Sequence, residues 1–225
     1  MDSTSSPQVQ NFQYKIGFSL KEFNEIAGKK FENTKIENLL SEKGFEYKKV
    51  IVGEALQKTI PECMNAVYKN PSSMRLDAPK AFSCSSLVSY LYTQVGVWMP
   101  SISIDKYVFG MPISKRDLKF GDLVFSNSGN GSIRYETVEY KPNTKVPEGV
   151  DHVGMYLGEN KILHATKKYG GVVVETLGEF ESTSKIVGYR RVTDINEERF
   201  VVNIPDDRED LKNKNSFIKI LSHAV

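Results

Sequence analysis

Three side chains in this sequence could carry out nucleophilic chemistry together. The chain of 225 residues has only two cysteines and three histidines. Cys84 lies in a small polar cluster that leads directly into an apolar pattern with helical spacing, and His152 and His164 lie in a strand-turn-strand pattern further along the chain. A thiolate is a strong nucleophile, and an imidazole beside it can take and return its proton. These residue types therefore indicate a cysteine nucleophile with a histidine base.

The pattern after Ser83 predicts a helix from about Cys84 to Val95, with Gly96 as its end. Its apolar positions recur on one face of a 3.6-residue period, at Leu87, Val88, Leu91 and Val95. Unpaired N–H groups and the positive end of the dipole at a helix N-terminus lower the pKa of a thiol and can stabilise an oxyanion. The competing interpretation is that Cys84 is a small buried hydrophobic residue.

The histidines begin and end a predicted β-hairpin over residues 151–165, with its turn at residues 158–161. Such a hairpin brings His152 and His164 side by side. His152 would act as the base for Cys84, a pairing that stabilises thiolate at neutral pH, and His164 would orient its ring. Two alternatives stay open: a zinc site, although no fourth ligand has a typical spacing, and two purely structural histidines.

Composition limits the classes of function. The 30 basic and 28 acidic residues nearly balance, which argues against a nucleic-acid partner held by bulk charge. Cys63 and Cys84 do not form a disulfide framework, and we expect both to be reduced. No stretch reaches the length of a membrane span. Residues 1–7 are polar and predict no secretory signal peptide, so that we expect a cytoplasmic protein or one exported by another route.

A helix-rich first part followed by strands predicts an α+β fold. Capping boxes predict helices after Ser19 and Thr34, and a third helix is predicted to start at Thr59 and to run through Cys63. We expect an irregular segment around Tyr107 and Phe109. A buried strand is predicted near residues 121–126, and further strands near residues 172–175 and 186–192. Residues 127–150 form a polar insertion with a hairpin arm at residues 135–140, which we expect to border the active-site groove because it precedes His152.

Four ordered motifs resemble the NlpC-type papain-like cysteine peptidases, which cut bacterial cell-wall peptides. They are Ser83-Cys84-Ser85-Ser86-Leu87-Val88, Gly121-Asp122-Leu123-Val124-Phe125, His152-Val153-Gly154-Met155-Tyr156-Leu157-Gly158 and Ile162-Leu163-His164-Ala165. The resemblance spans about residues 76–193. It leaves a polar lead and small helical region at residues 1–75 and a C-terminal appendage at residues 194–225, where residues 217–221 look amphipathic or strand-like.

The resemblance implies a papain-like core in which the nucleophile helix packs on an antiparallel sheet. It also implies a catalytic triad of Cys84, His152 and His164 that hydrolyses an amide in a peptidoglycan stem peptide through an acyl-enzyme. Neither a cofactor nor a metal is implied. The alternatives are an amidase of the related cysteine-histidine amidohydrolase group and a catalytically altered module that binds peptide or glycan.

The sequence departs from this family next to the nucleophile. Family members commonly have Asp before the cysteine and Gly two residues after it, whereas this chain has Ser83 and Ser86. In the family that Asp helps to hold the free amine of an N-terminal L-alanine. We therefore expect an altered substrate preference, with Ser83, Ser85 and Ser86 as candidate substrate-binding residues.

Overall fold

The structure is a computed structural model that describes residues 13–129, 134–136 and 145–223. Within these ranges the α-helices are α1 (Leu20–Ala27), α2 (Asn33–Glu42), α3 (Val52–Cys63), α4 (Cys84–Gln94), α5 (Ser103–Phe109), α6 (Leu177–Thr183) and α7 (Lys214–Ser222). The strands are β1 (Tyr14–Phe18), β2 (Tyr47–Ile51), β3 (Val67–Tyr68), β4 (Ala81–Phe82), β5 (Met111–Ile113), β6 (Leu123–Asn127), β7 (Arg134–Glu136), β8 (Lys145–Val150), β9 (His152–Gly158), β10 (Lys161–Thr166), β11 (Gly171–Thr176), β12 (Lys185–Arg191) and β13 (Glu198–Ile204). No helix in the described ranges is long and apolar enough to cross a membrane.

The main sheet has eight strands in the order β4-β3-β11-β10-β9-β6-β12-β5, and every pairing except β3 with β4 is antiparallel. Helix α4 packs against β9 and β10. Leu87 and Leu91 of the helix share a fully buried core with Val153, Met155 and Leu163 of the sheet. The predicted α+β fold, with the nucleophile helix on an antiparallel sheet, is confirmed.

Local sequence chemistry explains the start and end of α4. Ser83 is the N-cap; its hydroxyl accepts the Ser86 N–H, and the Ser86 hydroxyl accepts the Ser83 N–H. This reciprocal pair is a capping box in which serine stands where glutamate is usual. Gly96 follows the helix with φ +68°, a conformation that favours glycine. The predicted helix over residues 84–95 is therefore confirmed.

The predicted hairpin is strands β9 and β10. Glu159 and Asn160 form its turn, with φ of 48° and 58°, and two successive positive φ values match the right-handed twist of paired strands. Because side chains alternate along a strand, Val153 and Met155 face α4 and His152 faces the other side. The same alternation on β10 places His164 on the side away from α4.

A second sheet joins the two ends of the chain. Strand β13 lies between β1 and β2, antiparallel to both. Helices α1, α2 and α7 bury their apolar faces in the same core as this sheet. The helical N-terminal part therefore also contributes two strands, and residues 217–221 lie in the amphipathic helix α7. Strand β13 was not predicted from the sequence.

Two predicted helix starts are wrong. Helix α2 begins at Asn33 with Glu32 as its N-cap, so Thr34 does not cap it. Helix α3 starts at Val52 and ends at Cys63, so Thr59 lies inside the helix instead of starting it, and the Thr59 hydroxyl donates to the Ala55 carbonyl at 2.9 Å. Helix α3 starts earlier than predicted because a segment distant in the chain caps its first N–H groups.

The first N–H groups of α3, on Val52 and Gly53, donate to the carbonyls of Glu197 and Ile195 at 3.1 and 2.7 Å. A helix whose first N–H groups donate to a distant segment needs no capping residue in its own sequence.

The segment around Tyr107, predicted to be irregular, is helix α5. Helix α6, which was not predicted, follows a capping box between Thr176 and Glu179.

The insertion at residues 127–150 is described in part. Strand β7 pairs antiparallel with β8. The predicted arm at residues 135–140 lies outside the described residues from position 137 onward. Ser128 and Val150, at the two ends of the insertion, line the same cavity as Cys84, as expected for a segment that borders the groove.

Candidate active site

A cavity of about 1110 Å³ brings together the predicted chemical residues. Cys84, His152 and His164 all line it, and so do Ser83 and Ser85. These residues come from the start of α4 and from the two strands of the β9–β10 hairpin. The fold therefore brings Cys84 close to His152, which lies 68 positions further along the chain.

Cys84 is the first residue of α4 and is only 8% exposed. Its thiol donates to the Asp151 carbonyl at a sulfur-to-oxygen distance of 3.8 Å, and the Ser103 hydroxyl lies 4.0 Å from the sulfur. Burial raises the pKa of the Cys84 thiol, and this effect exceeds the lowering by the Val153 N–H, the Ser103 hydroxyl and the Ser85 N–H. The resting thiol is therefore neutral, contrary to the low pKa expected at a helix N-terminus.

The two histidines form a directly hydrogen-bonded pair. His152 Nε2 lies 2.8 Å from His164 Nδ1. Phe180 of α6 covers both rings: it stacks on His152 with ring centroids 5.5 Å apart and meets His164 edge-on at 5.2 Å. Because His152 uses Nε2 for His164, its Nδ1 is the nitrogen left for a thiol or a substrate.

Both imidazoles are neutral at rest. Burial lowers the pKa of His152 to about 4, and burial together with the charges of His152 and Lys168 lowers the pKa of His164 to about 3. Among the described residues, no hydrogen bond joins the Cys84 sulfur to His152. The expected thiolate–imidazolium pair is therefore not the resting state in this structure. A neutral imidazole is nevertheless the form that can accept a proton.

The serine cluster at the start of α4 serves mainly to cap the helix. Ser86 is buried under the first turn, where its hydroxyl lies 2.6 Å from that of Ser72. The Ser72 hydroxyl also accepts the Ser83 N–H at 2.8 Å. Ser83 and Ser85 line the cavity, whereas Ser86 does not lie among its lining residues.

The sequence reading missed several residues around the site. Ser103 of α5, Phe180 of α6 and Glu175 of β11 all line the cavity. Lys106 of α5 is fully buried; its ammonium donates to the carbonyls of Pro100 and Ser101 at 2.6 and 2.7 Å, and burial lowers its pKa to about 7. Of these, only Glu175 carried a sequence signal, since it ends the predicted strand at residues 172–175.

The alternative of a zinc site requires a compact group of ligands. Across residues 13–129, 134–136 and 145–223, no group of three or more His, Cys, Asp or Glu side chains could hold a metal ion. Both cysteines are free thiols, and Cys63 is buried in the core, where burial raises its pKa to about 12.

Comparison with known proteins shows which family the segment around Cys84 resembles. Residues 72–139 match the sequence model of the NlpC/P60 family. This segment is similar to the NlpC/P60 family. It is 33% identical over 93 residues to peptidoglycan endopeptidase RipB of Mycobacterium tuberculosis, a match that covers 41% of this chain and 31% of RipB. It is 29% identical over 114 residues to gamma-DL-glutamyl hydrolase of Bacillus subtilis, covering 50% of this chain and 23% of that protein.

The solved structure of an NlpC/P60 family protein from Bacillus cereus shows the same fold. It superposes with a TM-score of 0.50 at 21% identity and covers 63% of this chain and 40% of that one. The present chain spans less than a third of the length of each of the two curated relatives named above.

Proposed function

We propose that this chain is a cysteine endopeptidase that hydrolyses an amide bond in peptidoglycan stem peptides. The observation that carries the proposal is the geometry of the cavity. Cys84 lies at a helix N-terminus and shares the cavity with a histidine pair joined at 2.8 Å. A nucleophile, a base and a residue that orients the base are the parts that acyl transfer needs.

In the first step, the Cys84 thiol turns from the Asp151 carbonyl and gives its proton to His152 Nδ1. The sulfur then attacks the carbonyl carbon of the substrate and forms a C–S bond. The charge that develops on the carbonyl oxygen is stabilised by the backbone N–H of Cys84, which lies in the first turn of α4, where N–H groups have no acceptor within the helix. The neutral resting state means that proton transfer accompanies the attack.

In the second step, the tetrahedral intermediate expels the amine. The C–N bond breaks, and the imidazolium of His152 protonates the leaving nitrogen, which leaves a thioester on Cys84. Neutral His152 then takes a proton from water as the water attacks the thioester. Collapse of this second intermediate returns the proton to the sulfur and releases a carboxylic acid.

The substrate class rests on the relatives and on two lysines that line the cavity. One relative is named a peptidoglycan endopeptidase and another a gamma-DL-glutamyl hydrolase. The exposed side chains of Lys167 and Lys168 lie at the edge of the cavity and suit the carboxylates of a stem peptide. Ser83 replaces the family's Asp and uses its hydroxyl to cap α4. We therefore propose a preference for stem peptides without a free L-alanine amine.

The test is cleavage of defined stem peptides, with free and blocked N-termini and with or without glycan, read by mass spectrometry. We expect cleavage by the wild-type protein, faster with blocked ends, and none by Cys84→Ala. Cys63→Ala is the matched control, because it removes the other thiol without touching the cavity. If no peptidoglycan substrate is cleaved by folded protein, the proposal is overturned; peptide binding without turnover would instead identify a binding module.

A further inference from the structure

A carboxylate lies behind the histidine pair. Strand β11 runs antiparallel to β10, with Val173 opposite His164 and Glu175 opposite Ile162. Residues two apart on a strand face the same side of the sheet, so Glu175 shares the face of His164. Its Oε1 lies 3.2 Å from His164 Nε2. Only 5% of the His164 side chain and 8% of the Glu175 side chain are exposed.

We propose that Glu175 is a positioning residue that extends the site to a Cys84–His152–His164–Glu175 relay and sets the tautomers of both histidines. The role of this relay in turnover rests on the proposed function. Its role in setting the tautomers depends only on the geometry of the described residues.

Both groups have unused hydrogen-bonding capacity. His164 Nε2 and Glu175 Oε2 are buried atoms that have no hydrogen-bond partner within the part of the chain that the structure describes. The 3.2 Å approach of Nε2 to Oε1 is short enough for a hydrogen bond but is not aligned for one. A buried polar atom without a hydrogen-bond partner lowers the stability of the fold. A hydrogen bond between His164 and Glu175 would satisfy one such atom on each residue.

The direction of the hydrogen bonds then follows from Glu175. An ionised carboxylate only accepts, so His164 must carry its proton on Nε2. His164 Nδ1 is then an acceptor and receives the Nε2–H of His152. This leaves the lone pair of His152 on Nδ1, the atom that must accept the thiol proton. With the opposite tautomers, His152 would present an N–H to the thiol and could not act as its base.

Glu175 also supplies charge when it is needed. When His152 becomes an imidazolium, the carboxylate of Asp151 acts on it directly, and the carboxylate of Glu175 acts on it through His164. Burial raises the pKa of Glu175 above its ordinary value, and the charge of Glu179 acts in the same direction, whereas Lys168 and Tyr169 oppose the rise. Lys168 thus favours the ionised form of Glu175.

The first test reads the tautomers directly and needs no substrate. Imidazole nitrogen NMR at neutral pH is expected to show His152 and His164 both protonated on Nε2 in the wild-type protein. In Glu175→Gln, whose amide can donate as well as accept, we expect this single tautomer to be lost. Identical imidazole spectra in the two proteins would overturn the inference, whatever the protein hydrolyses.

The second test measures turnover on a peptide that the wild-type protein cleaves. For Glu175→Gln we expect kcat to fall about tenfold or more with little change in KM, since the residue acts on the base and not on the substrate. The acid limb of the pH profile should move to lower pH, because loss of the anion makes His152 harder to protonate. Glu175→Asp, which keeps the charge, should restore part of kcat.

The matched control is Glu159→Gln, which changes an exposed carboxylate in the turn of the same hairpin. It should leave kcat and the pH profile unchanged. Thermal unfolding of each variant separates a folding defect from a relay defect. If folded Glu175→Gln keeps the wild-type kcat and acid limb, the relay does not operate, even though the proposed peptidase function would stand.

Discussion

The neutral histidine pair, buried at His164 and partly buried at His152, predicts a loss of stability in mild acid that can be measured without any substrate. Histidine has an ordinary pKa of 6.5, and burial lowers the pKa of folded His164 to about 3 and of His152 to about 4. Protonation therefore favours the unfolded chain. The stability contributed by the neutral pair is fully present above pH 6.5 and is lost as the pH falls toward those lower values.

The structure gives the size of the effect. Between pH 6.5 and about pH 5, each unfolded histidine binds a proton that its folded counterpart does not, at about 1.4 kcal/mol per pH unit. That is about 2 kcal/mol for His164, and His152, at the edge of the cavity, adds up to as much. A combined loss of about 4 kcal/mol is a large part of the stability of a typical domain.

The assay is urea unfolding at several pH values between about 7 and about 5. We expect the free energy of unfolding of the wild-type protein to drop steeply over this range. A double variant, His152→Gln with His164→Gln, should lose most of that slope. His223→Gln, which changes an exposed histidine at the end of α7, should keep it. A double variant with the wild-type slope would refute the neutral histidine pair.

Three further predictions concern the thiol and the packing around it. The rate of Cys84 alkylation should still increase with pH beyond about pH 8.5, because burial raises the pKa of the thiol. Cys63 should stay unlabelled in the folded protein. A Cys84 rate that is already constant from about pH 6 would show a preformed thiolate instead. Phe180→Ala should lower the free energy of unfolding by about 3 kcal/mol or more, and Phe180→Leu by less, since this buried ring covers both histidines; equal losses in urea unfolding would contradict that packing role. Gly17→Ala should cost about 2 kcal/mol, because the new Cβ overlaps the backbone of Gly96; a thermal midpoint like that of the wild type would argue against this close contact.

Elements that depend on neighbouring residues could be predicted from the sequence. The capping box at Ser19, the helix that starts at Cys84 and the turn at residues 158–161 each depend on hydrogen bonds within a few residues. The hairpin prediction also placed His152 beside His164, because a two-residue turn fixes which residues of its strands can meet.

Elements capped or paired by distant segments could not be predicted in this way. Helix α3 starts at Val52 because the carbonyls of Ile195 and Glu197 accept its first N–H groups. Strand β13 reads as part of a polar tail, yet it lies at the centre of a sheet whose outer strands come from the first 51 residues. Neither arrangement leaves a local signal.

The sequence by itself determined which side chains could react: Cys84 at a helix start, and His152 and His164 on one hairpin. Only the tertiary structure decided their protonation states. The helix terminus acts on the thiol over one turn, and its effect can be inferred from the sequence, whereas desolvation depends on everything packed around the site. At Cys84, burial outweighs the effect of the helix terminus on the pKa of the thiol. The tertiary fold also places Phe180 and Glu175, from segments further along the chain, against the histidine pair.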